Sequence, residues 1–132
     1  MHYVLAVSDD EEDIAFLDQA FRTQPGNIPV TCMNKGLKLW DFICNLSAHE
    51  FPFLIIIDHY LSDIDSLALL TRLKADHQCS LVPVAMMSGF ASEQMIHEYY
   101  RAGANCFYKK PLDISDWTHM ADCLLTLFHN RS

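Results

Sequence analysis

Four short groups of residues in this chain could do chemistry together: Ser8-Asp9-Asp10, Asp58, Ser88, and Lys110 followed by Pro111. Carboxylates drawn from two of them onto one site could share a hard divalent cation such as Mg²⁺, which prefers oxygen ligands and keeps several waters. One carboxylate could then attack phosphorus once the metal has neutralised the phosphoryl oxygens. A hydroxyl and an ammonium, from Ser88 and Lys110, would complete the cage around those oxygens. Each group alone has a plainer reading. Asp9, Asp10, Glu11 and Asp13 could be the acidic first turn of a helix. Asp58 could be a strand-end cap, Ser88-Gly89 a loop and Lys110-Pro111 a turn. The chemistry depends on a fold that brings the four together.

The pattern of apolar residues describes such a fold. Short apolar runs at residues 3–7, 30–33, 53–57, 82–87 and 106–108 read as strands, and the four groups follow the first, third, fourth and fifth. Leu54-Ile55-Ile56-Ile57 is apolar at every position, as a strand is when both its faces are covered. Between the runs lie segments with helical spacing. Ile14, Leu17 and Phe21 mark the first; Leu37, Trp40, Ile43 and Cys44 the second; Leu67, Leu70 and Leu73 the third; Met95, Ile96 and Tyr99 the fourth. The fifth carries Trp117, Met120, Leu124 and Phe128 behind an N-cap at Asp113. The expected fold is α/β, a flavodoxin-like doubly wound sheet of five parallel strands with five helices over its two faces. Ligands of such sheets bind beyond the carboxyl ends of the strands.

Composition narrows the function. A chain of 132 residues, 51% hydrophobic and 20% charged, reads as one globular domain over residues 1–132. Its 9 Lys and Arg against 17 Asp and Glu give a net charge of −8, which argues against a nucleic-acid partner. The longest strictly apolar stretches, 51–57 and 81–87, fall far short of the roughly 18 residues of a membrane span. The five cysteines and seven histidines are scattered without zinc-site spacing. An odd cysteine count without a leader points to reduced thiols and a cytoplasmic location.

On the four groups and their order, the sequence resembles the receiver domain of two-component response regulators, from Tyr3 to about Phe128. The family's acidic pair is matched by Ser8-Asp9, and its phosphoacceptor by Asp58 within Leu54-Ile55-Ile56-Ile57-Asp58-His59-Tyr60-Leu61. Its switch hydroxyl is matched by Ser88 and its lysine-proline by Lys110-Pro111, a bond often cis in that family. Its switch aromatic is matched by Phe107. The resemblance implies Mg²⁺ held by Asp9, Asp58 and the Tyr60 carbonyl, and Lys110 paired with the acceptor. It also implies a phosphoryl group received from a histidine kinase or histidine phosphotransfer protein. Ser88 would then bond a phosphoryl oxygen and Phe107 would fill the space it leaves, remodelling the surface for a downstream protein or a second copy. Such a domain is a signalling module with self-catalysed phosphotransfer, not an enzyme.

The chain departs from the family at Ser8, where a carboxylate is usual, and at Ser62 and Ser66, where proline and glycine are usual. Ser8 can hold a metal-bound water but brings no charge, and Asp10 is a candidate to compensate. Ser66 disfavours positive φ, so the loop after the acceptor is expected to be less sharply turned or mildly strained. These three serines favour an alternative, a pseudo-receiver acting as a phosphorylation-independent interaction module. Haloacid-dehalogenase-type phosphatases lack support because their second aspartate falls at Tyr60, and flavodoxins because acids occupy their phosphate loop. Tyr60 and Phe90 would flank the path of hydrolytic water, or turn outward to solvent or a partner. His59 should face away from the acceptor by strand alternation. Trp40, Trp117, Met95 and Met120 are expected in the core, and Cys106 and Cys123 as small hydrophobes rather than redox sensors.

Overall fold

A computed structural model describes residues 2–129. Its elements alternate as β1 (Val4–Val7), α1 (Glu11–Arg22), β2 (Val30–Met33), α2 (Gly36–Cys44), β3 (Leu54–Asp58), α3 (Ser66–Ala75), β4 (Val84–Ser88), α4 (Glu93–Arg101), β5 (Cys106–Lys109) and α5 (Ile114–Phe128). Short 3₁₀ turns, Ala48–Glu50 and Cys79–Leu81, precede β3 and β4. The five strands form one parallel sheet in the order β2-β1-β3-β4-β5. Residues 130–132, at the end of the expected domain, lie outside the described residues, as does Met1.

Strand alternation divides the core into two layers. Leu5, Val7, Ile55, Ile57, Val84 and Met86 pack with Leu39 and Ile43 of α2, with Leu69, Leu70 and Leu73 of α3, and with Tyr99 of α4. Val4, Ala6, Leu54, Ile56, Ala85 and Met87 pack on the opposite face with Leu17 and Phe21 of α1 and Trp117, Met120 and Leu124 of α5. Each such Leu or Ile contributes on the order of 2 kcal/mol by leaving water. Trp117 stacks on Phe16 at 5.7 Å, and Arg72 lies over the half-buried Trp40 ring, so both tryptophans are structural. Met120 is buried and Met95 packs at the edge of the other layer.

β1, β3 and β4 start later than expected, and β3, β4 and β5 each run one residue further at the carboxyl end. Val82 closes the Cys79–Leu81 turn and Pro83 has no N–H to give, so β4 starts at Val84 and extends to Ser88. Asp58 remains in register with Met87, and the next N–H, from His59, reaches the Met87 carbonyl at 2.8 Å. Asp58 and Ser88 are therefore the last residues of their strands. The fifth strand likewise extends to Lys109.

Helix starts are fixed by side chains aimed at free N–H groups. Asp10 caps α1 through Glu12 and Asp13, Ser92 caps α4, and Asp113 caps α5 as expected. Helix α2 has no cap of its own. The Asp63 carboxylate crosses from the loop after β3 to accept from Gly36 and Leu37 at 3.0 and 2.9 Å. The approach is so close that a Cβ on Gly36 would collide with Ile64. Although desolvation raises the Asp63 pKa, these backbone bonds outweigh it and hold the carboxyl below its ordinary value. Lys35 bonds Ser62 in the same loop at 2.7 Å.

The loop strain expected from Ser66 is absent. Ser66 is the first residue of α3, capped by Asp65, and the only non-glycine residue with positive φ among those described is Asn27. Its hydroxyl is buried and sits 2.7 Å from the Asp58 carbonyl and 2.6 Å from that of His59. A serine here ties the loop to the strand instead of straining it.

Candidate functional site

Strand order reverses between β1 and β3, and the crevice at that switch point is where parallel sheets bind ligands. Here it is a cleft of about 410 Å³ lined by Asp9, Asp10, Asp58, Tyr60, Leu61, Ser62 and Lys110. Asp58 lies at its floor, 1% exposed. Its Oδ2 accepts from the Ser8 hydroxyl at 2.7 Å and from Lys110 Nζ at 2.8 Å. Its Oδ1 accepts only the Tyr60 N–H, at 3.2 Å. A carboxylate so buried needs this pairing, because removing a buried charge from water is costly unless it is compensated.

Lys110 is held from both sides. Its backbone N–H bonds the Ser88 carbonyl at 2.7 Å, and its ammonium lies 2.6 Å from Asp13 Oδ2. Burial alone would lower its pKa, but the hydrogen bonds and charges of Asp13 and Asp58 outweigh that and raise it above the ordinary lysine value. Lys109 is exposed, as alternation required. The peptide bond into Pro111 is trans, against the expected cis form.

The structure sorts the remaining candidates. Ser8 and Ser88 are both fully buried, and Ser88 Oγ presently accepts the Phe90 N–H at 3.3 Å. Asp9 is exposed at the cleft wall. Asp10 also lines the cleft, but one of its oxygens already caps α1. Phe107 is half-buried on the α4 side and stacks on Tyr99. Tyr60 and Phe90 are both exposed, but Tyr60 lines the acceptor cleft, whereas Phe90 lines a neighbouring one. Their rings stand 6.0 Å apart. His59 faces that neighbouring cleft, of about 290 Å³, as alternation placed it. Cys106 and Cys123 are half-buried, and burial holds the Cys106 thiol up at about 11, so it stays protonated at neutral pH.

Asp13 is the residue the sequence did not single out. It appeared there only as part of an acidic first turn. Once Asp10 is recognised as the cap, Asp13 falls three residues on, in the turn that faces the strand ends. That helical phase was the available signal.

The donor set suits a hard cation. Asp9, Asp58 and Tyr60 line one cleft and offer only oxygen, and Asp58 Oδ1 retains lone-pair capacity beyond its single N–H. No group of three or more His, Cys, Asp or Glu side chains among the described residues forms a ready-made cage. A cation here would rest on two carboxylates, a carbonyl and water.

Comparison with known proteins agrees with this arrangement. Residues 4–122 match the response regulator receiver domain. Response regulator Rre1 of Synechocystis is 26% identical over 111 residues, which cover 83% of this chain and 46% of that protein. Two-component response regulator ORR5 of rice (Oryza sativa subsp. japonica) is 25% identical over 123 residues, 93% of this chain and 88% of that one. The chain thus spans about half of the first relative and most of the second. Among solved structures, the Mn²⁺-bound form of response regulator Rcp1 superposes with a TM-score of 0.84 at 19% identity, covering 98% of this chain and 96% of that one. The phosphorylated cyanobacterial phytochrome response regulator RcpA gives 0.86 at 20% identity, covering 100% and 97%. At such identities the structural likeness speaks for the fold. No helix among the described residues is long and apolar enough to cross a membrane.

Proposed function

The chain belongs to the response regulator receiver domain family, and on that footing we propose that Asp58 accepts a phosphoryl group and that the altered surface is the signal. The observation that carries this reading is the state of Asp58. It is a buried carboxylate at a strand end, held on one oxygen by Ser8 and Lys110, with its other oxygen accepting a single N–H and with Asp9 and Asp10 lining the same cleft.

In the proposed reaction, a carboxylate oxygen of Asp58 attacks the phosphorus of a phosphohistidine. A C–O–P linkage forms, the P–N bond breaks, and the departing imidazole keeps the bonding pair and takes up a proton. Lys110, already 2.8 Å from the acceptor, meets the charge on the transferred oxygens. Asp9, Asp58 and the Tyr60 carbonyl would hold Mg²⁺, whose charge neutralises the phosphoryl oxygens. A relative of the same fold is described as Mn²⁺-bound and another as phosphorylated, which supports both parts of the reading. Ser88 would exchange the Phe90 N–H for a phosphoryl oxygen, and Phe107 would turn toward the space released. The donor is a histidine kinase or histidine phosphotransfer protein, and the receiver of the signal is a downstream protein or a second copy of this chain.

One observation favours the pseudo-receiver instead. Ser8 adds a hydroxyl donor to Asp58 Oδ2, so the resting carboxylate is well satisfied without any cation. Incubation with acetyl phosphate, followed by intact mass, separates the readings. One added phosphoryl group with Mg²⁺ and none with a chelator supports the phosphoacceptor. No addition in either condition supports the pseudo-receiver.

A further inference from the structure

Ser66, Tyr99 and His59 form a buried polar cluster behind the acceptor that the proposed reaction leaves unused. Ser66 Oγ lies within 2.7 Å of the Asp58 carbonyl and 2.6 Å of the His59 carbonyl. The Tyr99 ring, 2% exposed, bonds His59 Nδ1 through its hydroxyl and touches the Ser66 side chain. Each hydroxyl has one proton to give. The imidazole and the phenol pair with each other, and Ser66 donates to the carbonyls of the strand end, so each group is partnered, and an unpaired buried group would be costly.

The same ring meets the switch aromatic. Tyr99 and Phe107 stack with centroids 6.0 Å and planes 27° apart, within the layer shared by α3 and α4. A close-packed ring cannot move without its neighbours. Inward rotation of Phe107 would break this stack and disturb the ring whose hydroxyl bonds His59.

We propose that the Tyr99 hydroxyl is a latch, which holds α4 and Phe107 in the resting arrangement through His59 and is released when Asp58 carries a phosphoryl group. The proposal rests on Asp58 being the phosphoacceptor. A bond made only in the resting state biases the equilibrium against the switched one. By linkage, deleting that bond tightens binding of any ligand that favours the switched state.

The test uses beryllium fluoride with Mg²⁺ as a phosphoryl mimic on the acceptor carboxylate. Tyr99→Phe keeps the ring and loses the hydroxyl, and is expected to lower the half-saturating concentration roughly fivefold, the share of one net hydrogen bond. Damaged packing would weaken binding, so a gain cannot come from a merely structural role. Equal or weaker binding overturns the latch. His59→Phe deletes the same bond from its other end, and His59→Phe with Tyr99→Phe should bind no tighter than either alone. Additive gains overturn the latch as well. If the wild type binds no beryllium fluoride, or Asp58→Asn binds it equally, the phosphoacceptor reading fails and takes the latch with it. If wild-type binding is normal and Tyr99→Phe matches it, the latch alone fails.

Discussion

The carboxyl edge of the sheet carries two clefts that share the end of β3 and little else. On one side of Asp58, charged groups from the first turn of α1 and from the segments after β1 and β5 converge, with Asp13 and Asp58 each in contact with Lys110. On the other side of the backbone, His59, Phe90 and Tyr99 give an aromatic cleft, with Asp65 and Glu98 also in its lining, where the Tyr99 hydroxyl bonds the His59 imidazole. The first cleft is held by charge compensation and the second by packing. A chemical event in one can therefore be read as a mechanical one in the other, because Asp58 and the residue that follows it, His59, face them both.

The largest expected effect tests the charge compensation. Lys110→Ala removes the cation that Asp58 and Asp13 share, both of them little exposed, and should cost about 3 kcal/mol at neutral pH. Lys109→Ala should stay within about 0.5 kcal/mol. Urea unfolding of the two variants measures the difference, and equal losses would remove Lys110 from its central position. Phosphorylation-dependent switching should be lost or severely slowed in the first and largely kept in the second.

Metal binding should divide the acidic cleft further. Asp9→Ala is expected to weaken Mg²⁺ by roughly tenfold or more, and Ser8→Ala by much less, since Ser8 spends its proton on Asp58. Fluorescence of Tyr60 during a Mg²⁺ titration follows both variants. Equal effects would show the register after β1 to be misassigned. The loss of the phosphoryl group then separates the clefts. Tyr60 lines the acceptor cleft and Phe90 the aromatic one, so Tyr60→Asn should speed hydrolysis several-fold and Phe90→Asn should change it little. Timed decay of the phosphorylated species by intact mass tells them apart.

The smallest effect is a shared alkaline limit. Lys110, raised by Asp13 and Asp58 against its burial, stabilises fully below the unfolded lysine value of about 10.4 and loses that contribution as pH rises through its folded value. Burial, with the charge of Asp65, also raises the Tyr99 pKa. The unfolded phenol ionises near ~10 while the folded one stays neutral, so stability again falls as pH rises. Tyr99→Phe should make the decline above pH ~10 shallower, the part that remains being that of Lys110. Thermal unfolding across that range checks it.

The acidic cleft was legible in the sequence because its residues sit at strand ends, where one-dimensional order already implies convergence. Asp58, Ser88 and Lys110 could be placed before any geometry was known. The aromatic cleft was not legible. Tyr99 reads as one apolar position among several on a helix, and nothing in its spacing shows which strand its hydroxyl reaches. Ser66 was misjudged for a related reason. A residue type that disfavours positive φ argues for strain only if the backbone needs positive φ, and here an Asp65 cap lets the helix begin at Ser66 instead. Asp13 fell between the two cases, since its role depends on helix phase relative to a strand end.

Asp58, and no other carboxylate of the acidic cleft, is expected to carry the phosphoryl group. Borohydride reduces an acyl phosphate and converts the aspartate that bore it to homoserine, so peptide mapping after reaction with acetyl phosphate and Mg²⁺ names the residue. Homoserine is expected at position 58 alone. Homoserine at Asp9, Asp10 or Asp13, or none anywhere, would contradict it.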